Sequence, residues 1–299
     1  MTSVDQPLEY IKRTRYYYQA LGYGEPYKWA HFDEVPFATL KKPLAQCTVA
    51  IVTTAAPYQE GKGDQGPGAP YNSSAKFFDV FAASTHNTPD LRISHVAIDR
   101  DHTSAADLGS YFPIEALKQA ASENTFGRIA NRFYGFPTNR SKRITLDTDC
   151  QRVLALCKED EVDIALLLPN CPVCHQSVSL AARTLEAAGI VTVVMGCAKD
   201  IVEQVGVPRF LFSDFPLGNA AGIPNNKRCQ LDTVNMALEL AVTATKPATT
   251  KQSPYKWDGQ PNWKEDYSNP DKLTAAEIAQ RRRAFDDAKL VAKHGRKEK

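Results

Sequence analysis

The sequence has no long apolar run, no apolar leader at its N-terminus and no marked excess of charge of one sign. Without about 20 consecutive apolar residues the chain is not expected to span a bilayer. Residues 1–12 are polar and do not resemble a secretory signal peptide. The formal net charge is +2 at pH 7, so composition gives no case for nucleic-acid binding. Seven cysteines without a predicted leader indicate a reducing compartment, and we expect a cytoplasmic protein.

Two familiar ligand-binding patterns are also absent. The closely spaced glycines at 61, 63, 66 and 68 open no helix pattern, so they do not form a dinucleotide fingerprint. They lie in a long loop after a predicted strand, which is either a substrate loop or a mobile excursion. A structural zinc site usually needs two close ligand pairs, and only Cys171 and Cys174 are spaced in this way.

The 299 residues, 43% of them hydrophobic, suffice for one large domain with extensions. Apolar or β-branched runs alternate with segments of helical spacing. Short connections with right-handed crossovers then favour an α/β fold, a Rossmann-like open, mostly parallel sheet with helices on both faces. We divide the chain into an aromatic N-terminal arm (1–46), an α/β domain (47–244) and a C-terminal extension with a charged helix and a basic tail (245–299). The arm is expected to pack on the domain or on a second subunit, which makes a homo-oligomer the predicted state.

A cysteine pair stands where the most apolar predicted strand ends. The run 164–168 breaks at Pro169, and helical spacing follows until Gly189. Ligands of open α/β sheets bind at such strand ends. A helix N-terminus stabilises an anion, so Cys171 is expected to have a lowered pKa and to be nucleophilic, with His175 assisting, while Cys174 resolves a disulfide. Half of a metal site, or two inert buried thiols, remain alternatives.

Titratable side chains cluster at the end of a second predicted strand, residues 91–98. His95 lies in this strand, and Asp99, Asp101 and His102 follow it. On a strand, His95 and Asp99 would share one face. The cluster is either a mixed nitrogen and oxygen metal site, a general acid/base with its orienting carboxylate, or ordinary loop charge. We take His95, Asp99 and His102 as candidate catalytic residues.

The turns after two further predicted strands add candidate substrate ligands. Cys197 follows the run 190–195, and Asp214 and Asn219 follow the run 208–213. Since the carboxyl ends of parallel strands meet at one edge of a sheet, we expect Cys171, Cys197 and Asp214 to share a cleft. Cys197 is equally well explained as a buried structural thiol.

A basic and aromatic segment covers residues 122–147. Four aromatic side chains alternate there with arginines 128, 132, 140 and 143. The segment either holds an anionic substrate or forms a packed surface loop.

Three stretches resemble a known family, the glycine, sarcosine and betaine reductase selenoprotein B family, to which the small subunit of D-proline reductase belongs. They are Leu168-Pro-Asn-Cys-Pro-Val-Cys-His-Gln-Ser-Val178, Glu186-Ala-Ala-Gly-Ile-Val-Thr-Val193 and Asp214-Phe-Pro-Leu-Gly-Asn219. The resemblance spans roughly residues 47–244. It implies reductive cleavage of a bond alpha to a carbonyl, with Cys171 in the place of the nucleophilic selenocysteine and Cys174 in the resolving place. Family reductases for proline and glycine activate substrate with a carbonyl on a separate subunit, and this sequence shows no precursor of such a group.

The resemblance favours a thiol-dependent oxidoreductase that cleaves a C–N, C–S or C–X bond of a small molecule. A thioredoxin-like protein or another external dithiol would regenerate the pair, and no firm cofactor is predicted. One alternative is a cysteine-dependent lyase or hydrolase that releases sulfide from a thio-carbonyl compound. Another is a metal-binding or regulatory protein that uses the cysteine pair and a nearby histidine.

Overall fold

The computed structural model describes residues 6–257, 259 and 262–297, with side chains described as far as His294. It is an α/β structure built on one eight-stranded, mostly parallel sheet. The main sheet contains β1 (Thr48–Thr53), β3 (Phe81–Ser84), β5 (Arg128–Ile129), β6 (Arg132–Gly135), β7 (Ile164–Leu168), β8 (Val191–Gly196), β9 (Arg209–Phe212) and β10 (Thr249–Gln252), and β2 (Ala56–Pro57) pairs separately with β4 (Leu91–Arg92). The order across the main sheet is β10–β9–β8–β7–β1–β6–β3, with β5 beside the start of β1.

Helices cover both faces of this sheet. In chain order they are α1 (Tyr10–Ala20), α2 (Ile114–Ser122), α3 (Lys142–Ile144), α4 (Cys150–Glu159), α5 (Pro172–Ala187), α6 (Lys199–Val205), α7 (Lys227–Thr243), α8 (Trp263–Asp266) and α9 (Ala275–Lys297). Helices α2 and α7 pack into the core on one face, and α4, α5 and α6 pack on the other. All residues of the two central strands, β1 and β7, are buried because both of their faces are covered. The predicted Rossmann-like architecture is confirmed.

The sheet differs from the sequence prediction at its ends. The strand predicted over residues 91–98 stops at Arg92, and the rest of that run is loop and turn. Strands β5 and β6 lie inside the segment predicted to be irregular, and both pair with β1. At the opposite edge β10 pairs in parallel with β9, so the sheet continues beyond residue 244.

The N-terminal arm packs on the α/β domain of the same chain. Gln176 of α5 binds the arm with both ends of its amide: its oxygen accepts from the Ala30 N–H at 2.7 Å, and its nitrogen donates to the Tyr27 hydroxyl at 2.7 Å. Farther along, Glu186 accepts hydrogen bonds from the Ala38 N–H and from Arg209. The side chains of Glu186 and Arg209 are almost fully buried. The arm is therefore fixed to the helix that begins at the cysteine pair.

The C-terminal extension also lies over the domain. Lys264 of α8 forms an ion pair with Asp214 at 2.5 Å and donates to the carbonyl of Gln6 at 2.9 Å. Tyr267 donates its hydroxyl proton to the carbonyl of Ala97 at 2.9 Å.

In the described part of the chain, no helix has the length and apolar character that crossing a membrane requires. The predicted oligomer and the predicted cytoplasmic location stay predictions.

Candidate active site

The cysteine pair follows β7, next to β1, where the order in which the chain adds strands to the sheet reverses. After β1 the chain builds β3, β5 and β6 on one side, and it then crosses to β7 on the other side and continues outward. Loops that follow β1 and β7 therefore diverge, which opens a crevice between their carboxyl ends. Here Asn170 donates its backbone and side-chain N–H groups to the Thr54 hydroxyl, each at 3.1 Å. These bonds fix the loop that carries Cys171.

Cys171 is the N-cap of α5. Its Sγ accepts the N–H of Cys174 at 3.2 Å, and Pro172 occupies the first helical position, where its missing N–H is no loss. One helical turn separates the two cysteines, and both thiols are free in this structure. A Cys-x-x-Cys pair at a helix start is the arrangement of dithiol redox motifs.

The surroundings of Cys174 favour its ionised form. Burial opposes a charge there, but the neighbouring Cys171 thiol, His95 and the Thr138 hydroxyl lower the pKa of Cys174 well below its ordinary value. The Thr138 oxygen lies 3.2 Å from the Cys174 sulfur. A hydroxyl at this distance stabilises a thiolate, since hydrogen bonds to charged groups are the stronger ones.

The expected lowering of the pKa at Cys171 is wrong. Burial and the neighbouring Cys174 raise the pKa of Cys171 well above its ordinary value. Its sulfur accepts a single backbone N–H, which does not compensate for complete desolvation. Within the pair, the pKa of Cys171 is therefore raised and that of Cys174 is lowered.

The structure brings His95 to the cavity that Cys171 lines, close enough to lower the pKa of Cys174. Arg100 holds the loop that carries this histidine. Its guanidinium donates to the carbonyls of Ala69 at 2.9 Å and of His95 at 2.5 Å. Sequence analysis did not identify Arg100 in this role, because bonds to backbone carbonyls leave no residue pattern.

His175 has a different place from the one predicted. Its Nδ1 lies 2.8 Å from the carbonyl oxygen of Cys171, and its Nε2 accepts the backbone N–H groups of Cys197 and Ala198 at 2.9 and 3.1 Å. Two donors at Nε2 fix the proton on Nδ1, and burial lowers the pKa of His175 to about 4. A neutral ring whose nitrogens both bind backbone cannot stabilise a Cys171 thiolate. His175 instead ties the start of α5 to the turn after β8, where Gly196 leaves room for its ring.

Asp99 and His102 bind each other and not His95. His102 Nδ1 lies 2.7 Å from Asp99 Oδ1, and the two side chains are 2% and 1% exposed. Burial raises the pKa of Asp99 to about 6, although the hydrogen bond from His102 opposes this. The predicted pairing of Asp99 with His95 is wrong because the strand ends at Arg92 and the chain then turns. Asp266 of the C-terminal extension lies 3.6 Å from His102 Nε2, so the pair holds that extension.

The predicted cleft shared by Cys171, Cys197 and Asp214 does not form. Cys197 is buried in an apolar cluster with Phe215 and Ala198, and burial raises the pKa of its thiol. Asp214 is ion-paired with Lys264, as described above. Asn219 is fully buried, where it donates to the carbonyl of Pro216 and contacts Thr103. All three predicted substrate ligands lie outside the cavity described next.

A cavity of about 260 Å³ opens over the first cysteine. Its lining contains Cys171, His95 and Thr138 together with seven aromatic side chains. The arm contributes Tyr27 and Trp29, whose rings meet edge to face at 4.7 Å. Cys171 is part of the cavity lining, whereas Cys174 is not.

Three aromatic rings close the top of this cavity, and we call Tyr18, Tyr23 and Phe285 the roof. Their centroids lie 5.3 to 5.9 Å apart. Tyr18 and Tyr23 belong to the arm and Phe285 to α9, so the roof joins the two ends of the chain. The Tyr23 hydroxyl donates to Asp286 of α9 at 2.6 Å and strengthens this contact.

Within the described ranges, no three His, Cys, Asp or Glu side chains gather as a metal-ion site would need.

Comparison with known proteins finds similarity to two members of the group that the sequence resembles. The chain is 27% identical to D-proline reductase subunit gamma of Acetoanaerobium sticklandii over 218 residues, which are 72% of this chain and 87% of that protein. It is 24% identical to glycine reductase complex component B subunit gamma of Carboxydothermus hydrogenoformans over 195 residues, which are 64% of this chain and 44% of that protein. No family model matches the chain, and no solved structure gives a significant match.

Proposed function

We propose that this chain, a relative of the D-proline reductase and glycine reductase subunits, is a thiol-dependent oxidoreductase. It cleaves a C–N, C–S or C–X bond alpha to a carbonyl in a small molecule. The observation that carries the proposal is a cysteine pair at the start of α5, in which Cys171 lines a cavity and the pKa of the neighbouring Cys174 is lowered. A nucleophile with an adjacent base is the arrangement that covalent catalysis requires.

The first step forms a thioether. Cys171 attacks the substituted carbon while its proton passes to the Cys174 thiolate. The C–S bond forms, the C–X bond breaks, and the leaving group departs with the electron pair. His95 lines the cavity and contacts Cys174, so it can give the leaving group a proton and later take the proton from Cys174.

The second step releases product. The Cys174 thiolate attacks the Cys171 sulfur, an S–S bond forms, and the C–S electron pair moves to the carbon, where the carbonyl delocalises it as an enolate. His95 protonates that carbon. In sum, two thiols and R–X give a disulfide, R–H and H–X. An external dithiol then reduces the disulfide by thiol exchange, which returns the pair to its starting state.

A partner subunit is a further part of the proposal. Both relatives are named as subunits of reductases, which supports a role for this chain beside other chains. A small-molecule substrate and a thioredoxin-like donor are the other proposed partners.

The test uses α-chloroacetophenone with dithiothreitol and the purified full-length chain. The parent protein is expected to yield acetophenone and an internal disulfide. Cys174→Ser should stop after the first step, with a phenacyl thioether on Cys171 that peptide mass spectrometry locates. Cys47→Ser is the matched control, because the Cys47 thiol donates to the carbonyl of Pro43 and a serine can keep that bond. Acetophenone formed at the parent rate by Cys171→Ser would contradict the proposal.

A thio-carbonyl substrate, assayed with and without dithiothreitol, addresses the sulfide-releasing alternative. A lyase would release sulfide from it without consuming dithiol, whereas the proposed reductase consumes one dithiol for each product. The presence of Cys174 one helical turn from Cys171 favours the reductase, since a resolving thiol has no role in simple sulfide release.

A further inference from the structure

The cavity over the cysteine pair has a marked excess of positive charge. The whole chain is nearly balanced, with 36 Lys and Arg against 34 Asp and Glu. The cavity lining, in contrast, contains Arg15, Lys76, Arg140 and Lys289 against the single carboxylate of Glu25. Low-dielectric walls focus such a field, so this imbalance acts more strongly on a ligand inside than on one in bulk water.

Arg140 is held at the cavity by its backbone. It adopts φ = 55°, the left-handed region that a side chain other than glycine rarely occupies, and such conformations cluster at functional sites. Asn139 anchors the segment by donating to Asp149 at 2.7 Å and to the carbonyl of Phe78 at 3.2 Å. On the other side Thr138 contacts Cys174. The tripeptide 138–140 thus places Thr138 at the Cys174 sulfur and Arg140 at the cavity.

The guanidinium of Arg140 lies near aromatic rings. It is 5.4 Å from the centre of the Phe285 ring, and its charge opposes the rise that burial causes in the pKa of Tyr18. Lys289 lies 4.0 Å from the Tyr23 ring and contacts Asp286 at 3.4 Å. In the described part of the chain, neither Arg140 nor Arg15 forms an ion pair with a carboxylate. These two arginines can therefore accept an anionic group from a ligand.

We propose that the cavity selects a small organic anion, in which a carboxylate or a similar anionic group is joined to an apolar body. The anionic end lies against Arg140, and the apolar body lies between the roof and the first turn of α5. A ligand ammonium is disfavoured, because four cations surround it and only Glu25 attracts it. That this anion is the substrate rests on the proposed reductase function, whereas its binding does not.

The test compares three probes of equal size and different charge: 3-phenylpropanoate, 3-phenylpropanamide and 3-phenylpropylammonium. Isothermal titration calorimetry measures their binding to the full chain in reduced form. The carboxylate is expected to bind at least about tenfold more tightly than the amide, as one charge-assisted hydrogen bond would give. This preference should fall as ionic strength rises from about 50 mM to about 500 mM. The ammonium probe should bind most weakly.

Three variants locate the effect. Arg140→Gln should reduce the preference for the carboxylate over the amide to about twofold or less, and Arg140→Lys should retain part of it. Arg143→Gln removes a nearby exposed arginine that is outside the cavity lining, and it should bind like the parent protein. Equal binding of the carboxylate and the amide, tighter binding of the ammonium, or no binding of any probe would overturn the proposal. Because no probe reacts with the thiols, such a result leaves the α-chloroacetophenone assay of the reductase function unaffected.

Discussion

Replacing Thr138 with valine should reduce the thiolate of Cys174 while preserving the shape of the site. The Thr138 oxygen lies 3.2 Å from the Cys174 sulfur, and valine has nearly the same volume without a donor. A hydrogen bond to a charged group contributes about 1.5–3 kcal/mol. Its loss should lower the thiolate-to-thiol ratio at a given pH about ten- to hundredfold, since 1.36 kcal/mol corresponds to tenfold.

Ultraviolet absorbance of the thiolate as a function of pH measures this effect directly. Burial raises the pKa of five other cysteines, at positions 47, 150, 157, 171 and 197, so they contribute little thiolate near neutral pH. The absorbance should appear at higher pH in Thr138→Val than in the parent protein. Thr138→Ser keeps the hydroxyl and should titrate close to the parent.

Two results would refute this reasoning. An unchanged titration in Thr138→Val would mean that the hydroxyl does not stabilise the thiolate. A titration near neutral pH that survives Cys174→Ser and disappears in Cys171→Ser would place the charge on the first cysteine. In that case the N-terminus of α5 would be the dominant influence.

Three further perturbations test other parts of the structure. His175 is neutral when the protein is folded, because its pKa is lowered to about 4. Its contribution to stability is therefore present above the unfolded pKa of 6.5 and is lost as pH falls toward 4. In His175→Gln, the free energy of unfolding measured with urea should change less over that pH range than in the parent protein. Glu186→Gln leaves the guanidinium of Arg209 buried without a counter-charge and should lower the free energy of unfolding by about 3 kcal/mol or more, measured by urea denaturation. Phe285→Ala opens the roof and should speed iodoacetamide labelling of Cys171, followed by peptide mass spectrometry.

Each of these has a contradicting outcome. A slope of stability against pH that is equal in the parent and in His175→Gln would show that the imidazole is not held neutral. A Glu186→Gln protein as stable as the parent would mean that water reaches Arg209. Unchanged labelling in Phe285→Ala would show that access to the cavity does not pass the roof, and Tyr16→Ala, at an exposed ring of α1, is the control.

The central strand and the turn after it could be predicted from the sequence because their signals are local. The run 164–168 is apolar throughout, and its predicted bounds match β7. Pro169 and Pro172 interrupt the strand and open α5, which places Cys171 at the helix start. Parallel connectivity then fixes the cysteine pair at the edge of the sheet.

Strands β5 and β6 could not be predicted in this way. Each contains an arginine and has at most four residues, and each is held by β1, about eighty residues earlier in the chain. Likewise, Tyr18 and Phe285 meet in the roof although they are far apart in sequence. A single threonine in a loop, such as Thr138, carries no periodic signal, and only its contact with Cys174 identifies it.

The pKa assignment also required the structure. A helix N-terminus favours an anion at Cys171, and this influence was all that the sequence offered. Folding adds burial of that sulfur and places the Thr138 hydroxyl at Cys174, so the pKa of Cys171 is raised and that of Cys174 is lowered. The role of the two thiols in catalysis stays a prediction.

The most direct test of the account is a single turnover followed by mapping of the thiols. The reduced protein reacts with one equivalent of α-chloroacetophenone without added dithiol, and peptide mass spectrometry under non-reducing conditions then measures disulfides and adducts. The account predicts one Cys171–Cys174 disulfide for each acetophenone released. Acetophenone released while both of these thiols remain free to alkylation, or a disulfide that joins any other pair, would contradict it.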